Sequence, residues 1–377
     1  MKKIGLYIHI PFCIKKCPYC DFNSIVFGNY FRIKNYFKAL EKDIALTGNT
    51  LNDFSVKTIY LGGGTPSVVK IEDIAGLLKT IYKQFRLAPN PEITIEANPA
   101  SVDIVKLKGY KKAGINRISI GVQSFNNKFL KVLGRAHNST QAYNTLTLAK
   151  KAGFKKLSVD LIYGLPGQTL KDWKEEIENF LKTDIGHISF YDLKIEKGTL
   201  FYRKKKEFKL PDNDLQALMY KHACKKLVRS GYRHYEISSF AFKAQEALHN
   251  QIYWHNDEYS GLGAGAYSYI GGRRFRKSID IDEYQKQALS GNIRYYHNEE
   301  LQKQARLRET LILNLRLLKG FSIPSIEKKA GMRIDKAILD ELSRLKNQGL
   351  ICNTANKYRL SKKGILFYDS IASELIS

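Results

Sequence analysis

Apolar positions in the first two-thirds of the chain fall alternately into short β-rich runs and longer stretches with helical spacing. The runs Ile4–Ile10, Thr58–Leu61, Glu92–Glu96, Arg117–Gly121, Leu157–Ile162 and His187–Leu193 predict six strands. Tyr30–Thr47, Ile71–Phe85, Asp103–Ala113, Thr140–Ala152, Leu170–Leu181 and Asp212–Ser230 predict helices, the last stopped by Gly231. Strand–helix units repeated in this way predict a parallel sheet with right-handed crossovers. Six units are too few to close an eight-fold barrel, so the predicted fold is α/β, a partial six-stranded (β/α) barrel. Its functional residues should then lie at the C-terminal ends of the strands.

From about Leu301 the pattern changes. Leu301–Leu318 reads as a helix, and Ser322-Ile323-Pro324 sets an N-cap with an early proline for a short helix to Ala330. Ile334–Asn347 follows as a longer helix closed by Gly349. Leu350–Asn353 and Lys357–Leu360 predict a hairpin, and Ser361 caps a last helix. Two helices and a hairpin make a winged-helix-like module. The predicted organisation is therefore a barrel over 1–232, a linking region over 233–300 and the module over 301–377. Fifteen basic against seven acidic residues give the module a net +8, which would suit DNA. Base-reading Asn, Gln and Arg are sparse on Ile334–Asn347, however, which favours a packing module that reuses the fold.

The expectation about strand ends can be checked along the chain. The first strand leads into Cys13, Cys17 and Cys20, and the second into Gly62-Gly63-Gly64-Thr65-Pro66, where glycines let backbone N–H groups approach a ligand. The third ends in Glu96-Ala97-Asn98-Pro99, the fourth in Gly121-Val122-Gln123-Ser124, the fifth in Asp160 through Gly167 and the sixth in Tyr191-Asp192-Leu193. A triple glycine alone is also a common turn, and Glu96 could equally cap the following helix. Six ends that all carry polar groups point to one rim.

The cysteines stand as Cys-x3-Cys-x2-Cys. A structural zinc site wants four closed ligands, and no fourth Cys or His follows within reach. Three thiolates can instead hold three irons of a [4Fe–4S] cube and leave the fourth open. Spacing alone leaves both metals open. Five cysteines in 377 residues make a disulfide framework improbable on composition and favour a reducing, cytoplasmic setting. Cys224 and Cys352 lie in apolar helical and strand contexts and read as core residues. No apolar run reaches the roughly 18 residues of a membrane span, and the start lacks the pattern of a signal peptide. The net charge of +26 would favour nucleic acid, an anionic membrane surface or an acidic ligand. Its densest spots, Arg203–Lys206 and Arg273-Arg274, are not interleaved with aromatics as base-stacking surfaces are, so nucleic acid is not the expected partner.

Cys-x3-Cys-x2-Cys after a first strand, with Tyr19 before the last cysteine and the GGGTP turn after the second strand, resembles the radical S-adenosylmethionine superfamily. The resemblance implies a [4Fe–4S] cluster on Cys13, Cys17 and Cys20, with S-adenosylmethionine chelating the open iron and split after one-electron reduction. More narrowly, Tyr7–Cys13, Gly62–Pro66, Ile118–Phe125, Leu133–His137 and Asp160–Gly167 resemble the oxygen-independent coproporphyrinogen III dehydrogenase family over nearly the whole chain. By that resemblance Tyr7, Tyr19, Gly63, Gly64, Thr65, Glu96, Gln123, Arg135 and Asp160 would contact S-adenosylmethionine. Glu96 and Arg135 suit a zwitterionic amino acid, and Asp160 suits a ribose or amine.

Three departures point away from the dehydrogenases and toward the related heme chaperone family. Phe22 stands where the dehydrogenases carry a fourth cysteine, only twelve residues precede Cys13, and His249-Asn250-Gln251-Ile252-Tyr253-Trp254 is similar to the chaperones' signature. That resemblance implies a protein that binds heme and delivers it to an apo-hemoprotein, membrane-associated or not, without coproporphyrinogen dehydrogenase activity. His249 would be the heme ligand, with Tyr253 and Trp254 flanking the macrocycle; the alternative is a histidine held in a local hydrogen-bond network. The basic surface would allow a cytoplasmic protein to sit peripherally at a membrane. Coproporphyrinogen III decarboxylation is the second reading, and a tRNA-modifying radical enzyme a third that the porphyrin-family motifs disfavour.

Overall fold

A computed structural model describes residues 1–376. Six parallel strands form its centre: β1 (Lys2–Ile10), β2 (Phe54–Gly63), β3 (Leu87–Ala97), β4 (Arg117–Gln123), β5 (Lys156–Tyr163) and β6 (His187–Asp192). They are H-bonded in that order. The crossovers are α1 (Tyr30–Thr50), α2 (Ile71–Gln84), α3 (Ile104–Lys112), α4 (Ser139–Lys151) and α5 (Leu170–Leu181), and α6 (Asn213–Arg229) follows β6. Both α4 and α5 begin with capping boxes, Asn138 with Gln141 and Thr169 with Asp172, which satisfy N–H groups orphaned at a helix start.

The strands run longer than their apolar segments. β3 is the clearest case: Pro89 and Pro91 break the apolar pattern and deny ladder donors, yet Val56 already pairs with Leu87.

Side chains alternate along each strand, so the sheet has two unlike faces. Ile59, Ile95, Ile118, Ile120, Val159 and Phe190 face outward into one apolar core under the helices. The residues between them turn into a cavity: Thr94 and Glu96 on β3, Arg117, Ser119, Gly121 and Gln123 on β4, Ser158 and Asp160 on β5, His187, Ser189 and Tyr191 on β6. A closed barrel packs its interior with branched apolar side chains. This partial barrel leaves a polar hollow instead.

Residues 233–300, expected to form a linking region, add strands to both edges of the same sheet. β7 (Arg233–Glu236) and β8 (Ser239–Ala241) extend it antiparallel beyond β6. Beyond β1 lie β9 (Tyr259–Leu262), β10 (Tyr267–Ile270), β11 (Arg273–Arg276) and β12 (Tyr296–Glu300). β9 is parallel to β1, a seventh parallel strand that its shortness and the glycine-rich segment Gly263–Gly265 after it hide in the sequence. Between the two edges the chain forms α7 (Leu248–Trp254), and after β11 it forms α8 (Ile281–Ser290). A buried ion pair fixes the β9 edge: Lys277 Nζ lies 2.6 and 2.8 Å from the carboxylate of Asp43 on α1, which also accepts from Tyr284 and from the Gly263 N–H.

The C-terminal module comprises α9 (Lys303–Leu315), α10 (Ile323–Ala330), α11 (Lys336–Asn347), the hairpin β13 (Ile351–Thr354) and β14 (Lys357–Leu360), then α12 (Lys362–Leu366) and α13 (Tyr368–Ile376). Its apolar cluster centres on Leu311, Leu315, Ile326, Ile338, Leu342 and Leu345. Phe321 bridges Tyr358, which gives the hairpin the third pairing of a winged helix. Two expectations are corrected here. α9 stops at Leu315 rather than Leu318 because Leu317 and Leu318 pair with the end of β7. The last helix is two helices broken at Phe367, which caps the first of them with a non-helical backbone; Gly364 within that first helix lies so tight against the Leu350 carbonyl that no Cβ would fit. No helix among the described residues is long and apolar enough to cross a membrane.

Candidate functional site

The cysteine loop is stitched into the top of the barrel at both ends. Ile25 donates to the Pro11 carbonyl at 2.8 Å and Phe27 to that of Cys13 at 3.2 Å, while Cys20 donates to Cys17 at 3.1 Å. Asn23 clamps the loop's far end. Its carbonyl lies 2.8 Å from His9 Nε2, and its amide donates to Ile279 at 3.0 Å and Ala264 at 3.3 Å. Cys13 is buried, and Cys17 and Cys20 are half-buried. Burial pushes the Cys13 and Cys20 thiols up, partly offset by the Thr65 hydroxyl on Cys13 and the Phe22 N–H on Cys20. The hydroxyl of Thr65 lies 3.5 Å from Cys13 Sγ and the Arg135 guanidinium 3.6 Å from Cys17 Sγ. Among the described residues no three His, Cys, Asp or Glu side chains converge on one point where a single ion would sit.

Tyr19, Gly63, Gly64, Thr65, Glu96, Gln123, Arg135 and Asp160 line the same cavity, which has a volume of about 1220 Å³. Gly63 has φ of +113°, a left-handed backbone that favours glycine, and at Gly64 a Cβ would meet the Phe12 backbone at 2.8 Å. This close approach lets Gly64 and Thr65 donate to Ile10 and Phe12, which locks the glycine turn to the start of the cysteine loop. Glu96 accepts from the Tyr60 hydroxyl at 2.7 Å. Burial, reinforced by the nearby Asp160, raises its carboxyl to about 7, while Tyr60 and the Gly63 N–H pull the other way. Asp160 accepts from Ser119 at 2.8 Å, and burial raises it to about 6 against the Ser119 hydroxyl and the Arg117 charge.

Gln123 follows a break in register between Ile120 and Gln123 and has φ of +66°, so a bulge re-aims its side chain. Arg135 enters after a short helix, Asn127–Val132, and the left-handed turn at Gly134. It donates to the Gly121 carbonyl at 2.8 Å, and its Nε is buried without a partner. An orphaned guanidinium N–H beside a cavity fits an anionic group such as a carboxylate. Tyr19 also lines the cavity, with its ring 6.2 Å from Phe201.

Two predicted residues stand elsewhere. Tyr7 lies behind the wall, stacked at 6.2 Å on Tyr60 with its hydroxyl 3.1 Å from His9 Nδ1. His249 is 1% exposed on α7. Its Nδ1 lies 2.8 Å from Thr58 Oγ1 and its Nε2 2.9 Å from the Tyr253 hydroxyl, so both ring nitrogens are engaged. Burial, with the Lys57 charge behind it, pushes the imidazole down to about 3 and keeps it neutral. The arrangement is that of the hydrogen-bonded alternative: in this state His249 presents no nitrogen to an outside metal. Trp254 lies under the Arg316 guanidinium at 4.1 Å.

Strand-end reasoning missed the lower wall of the cavity, from Tyr60 and Thr94 to Ser158, His187 and Ser189. The signal was present as polar residues at every second position of β3 to β6. It also missed Phe367 and Tyr368, which the helix break brings to the cavity from the C-terminal module.

Comparison with known proteins agrees with this layout. The family model of the Radical SAM superfamily matches residues 7–180, and that of the HemN C-terminal domain matches 301–367. The heme chaperone HemW of Lactococcus lactis subsp. lactis (strain IL1403) is 36% identical over 96% of this chain and 94% of its own. That of Bacillus subtilis (strain 168) is 35% identical over 97% of each, and that of Escherichia coli (strain K12) 33% identical over 98% and 97%. Among solved structures, coproporphyrinogen III oxidase (HemN) from Escherichia coli superposes with a TM-score of 0.87 over 100% of this chain and 90% of its own. At 23% identity that likeness shows the fold alone. The near full-length identity to curated relatives decides the assignment: this chain belongs to the heme chaperone HemW family.

Proposed function

We propose that the chain binds heme, a [4Fe–4S] cluster and S-adenosylmethionine, and delivers heme to an apo-hemoprotein. The observation that carries the cofactor half is the convergence of three thiols, Glu96, Arg135 and Asp160 from separate strand ends on one cavity. Cys13, Cys17 and Cys20 would hold three irons, with the Arg135 guanidinium 3.6 Å from Cys17 Sγ. When bound, the cluster supplies an open iron and an electron. Glu96 would accept from the methionyl amine and Arg135 would meet the carboxylate, while the glycine turn lets the ligand approach the backbone. Asp160 would take a ribose hydroxyl or amine.

The heme half is supported by family membership and by the HNQIYW motif on α7. Phe22 is 64% exposed on the cysteine loop, an apolar side chain where the resemblance to the dehydrogenases calls for a thiol. The reading is tested with the reconstituted holoprotein given hemin and coproporphyrinogen III separately. Hemin should be retained, read from its Soret band, and the band should change in His249→Ala. Coproporphyrinogen III should keep its mass. S-adenosylmethionine-dependent release of carbon dioxide from coproporphyrinogen III would overturn the chaperone reading, and an unchanged Soret band in His249→Ala would move the heme ligand elsewhere.

A further inference from the structure

One face of β2 joins the histidine of the HNQIYW motif to the cavity. Alternation along the strand sets Thr58, Tyr60 and Gly62 on the same side. Thr58 holds His249 Nδ1 at 2.8 Å. Tyr60 stacks on the imidazole, with centroids 5.0 Å apart and planes at 26°, while its hydroxyl donates to Glu96 at 2.7 Å. Glu92 fixes the start of α7 from the same sheet, accepting from the Leu248 and His249 N–H groups at 2.8 and 3.1 Å. Thus one aromatic ring touches both the carboxylate proposed for S-adenosylmethionine and the imidazole proposed for heme.

We infer that Tyr60 is a positioning residue through which heme ligation by His249 and S-adenosylmethionine binding at Glu96 oppose each other. The inference rests on the proposed function for the identity of the two ligands. His249 is 1% exposed, so iron can take one of its nitrogens only if the imidazole gives up Thr58 or Tyr253 and shifts out of its packing against Tyr60. Tyr60 is half-buried against the cavity, and the imidazole is one of the two rings that hold it. Without that ring only Tyr7 holds it, and its hydroxyl is fixed less firmly on Glu96. The carboxylate then loses the side-chain donor that favours its charged form, the form a cationic amine needs. In the other direction, a cation at Glu96 favours the state with Tyr60 bonded and His249 packed. Each ligand selects a different arrangement of the same residues, and such coupling is reciprocal by necessity. Loading S-adenosylmethionine would therefore loosen heme, which gives a chaperone a way to release its cargo.

The test uses the reconstituted full chain. Hemin affinity is measured by Soret titration with and without saturating S-adenosylmethionine, and S-adenosylmethionine affinity by calorimetry with and without hemin. Each ligand should weaken the other by the same factor, about tenfold. Tyr60→Phe keeps the ring on His249 but cannot donate to Glu96; both ligands should still bind, with the factor near one. Thr58→Val, which removes the hydroxyl bonded to His249 Nδ1, should tighten hemin. A factor of one in the unsubstituted chain, mutual tightening, or a factor that survives Tyr60→Phe would each overturn the linkage and leave the chaperone reading standing. Failure of the unsubstituted chain to bind hemin would remove both.

Discussion

Glu96 offers the sharpest test of the cofactor site, because its carboxyl sits at about 7 in the ligand-free protein. Burial is the main cause and Asp160 adds to it, while Tyr60 and the Gly63 N–H oppose it. Tyr7 and Tyr253 are the other titratable groups within its field, and both have hydroxyls pushed well above the physiological range by burial. A cationic amine needs the ionised carboxylate. Between pH 6 and pH 7.5 the ionised fraction climbs from about one in ten to about three in four, so affinity for S-adenosylmethionine should rise roughly eightfold. Asp160, at about 6, adds a second and shallower step on the acid side. Above pH 8 the ligand's own α-amino group begins to lose its proton.

Stability should move the other way. A carboxyl whose folded-state value is raised from 4.5 to about 7 contributes stability below pH 4.5, and that contribution is lost as pH climbs through 7. The full linkage would be about 3 kcal/mol, and less here because Glu96 faces a cavity that water can enter. Glu96→Gln should therefore raise the unfolding midpoint of the ligand-free protein at pH 8 while flattening the pH dependence of binding. Calorimetry across this range, in two buffers of different ionisation enthalpy, also counts the proton released. Affinity that does not change between pH 6 and pH 7.5 in the unsubstituted protein would show that Glu96 does not meet the cation.

Cys13→Ala, Cys17→Ala and Cys20→Ala should each abolish the absorbance of the reconstituted cluster, which should carry about four irons per chain. Cys224→Ala and Cys352→Ala should keep it, and stoichiometric zinc without iron would refute the assignment. Arg135→Ala removes the guanidinium with its unpartnered Nε and should weaken S-adenosylmethionine by about 1–3 kcal/mol; Lys204→Ala, on an exposed basic run, is the control, and equal losses in both would point to bulk charge instead. Asp43→Ala leaves Lys277 buried without its carboxylate and should cost about 3–5 kcal/mol in urea unfolding. Adding Lys277→Met should recover part of that loss, and no recovery would show that the damage comes from Tyr284 and Gly263.

Much of this architecture is legible in the sequence because both periods are clean. The six parallel strands and their helices announce themselves by alternation and by caps such as Asp212 and Thr169. The cysteine loop, the glycine turn and the charges at strand ends follow from topology, since a parallel sheet puts all of its C-terminal ends on one side. What stayed hidden depends on contacts between distant parts of the chain. β9 is a four-residue strand that pairs in parallel with β1, more than two hundred residues earlier, and nothing local marks it. The environment of His249 is of the same kind. Thr58 and Tyr60 reach it from β2, so spacing within the motif identifies the residue but not whether its nitrogens are free.

The polar inner face explains why this barrel differs from a packed one. Arg117, Ser119 and Gln123 alternate with Ile118, Ile120 and Val122, so one strand serves a helix-covered core on one side and a polar hollow on the other. Buried charge is costly unless it is paired or solvated. The structure meets that cost locally: Arg117 donates to Gln245 at 2.9 Å and lies 3.9 Å from Glu92, and Ser158 holds His187 at 2.6 Å. The C-terminal module then closes the outer end. Arg316 lies between Trp254 and Tyr368 and pairs with Glu236, which ties the module to the α7 motif and to β7 at once. A module attached in this way is part of the cavity wall. Phe367 and Tyr368 of the module line that cavity together with Cys13, Cys17 and Cys20 of the cysteine loop.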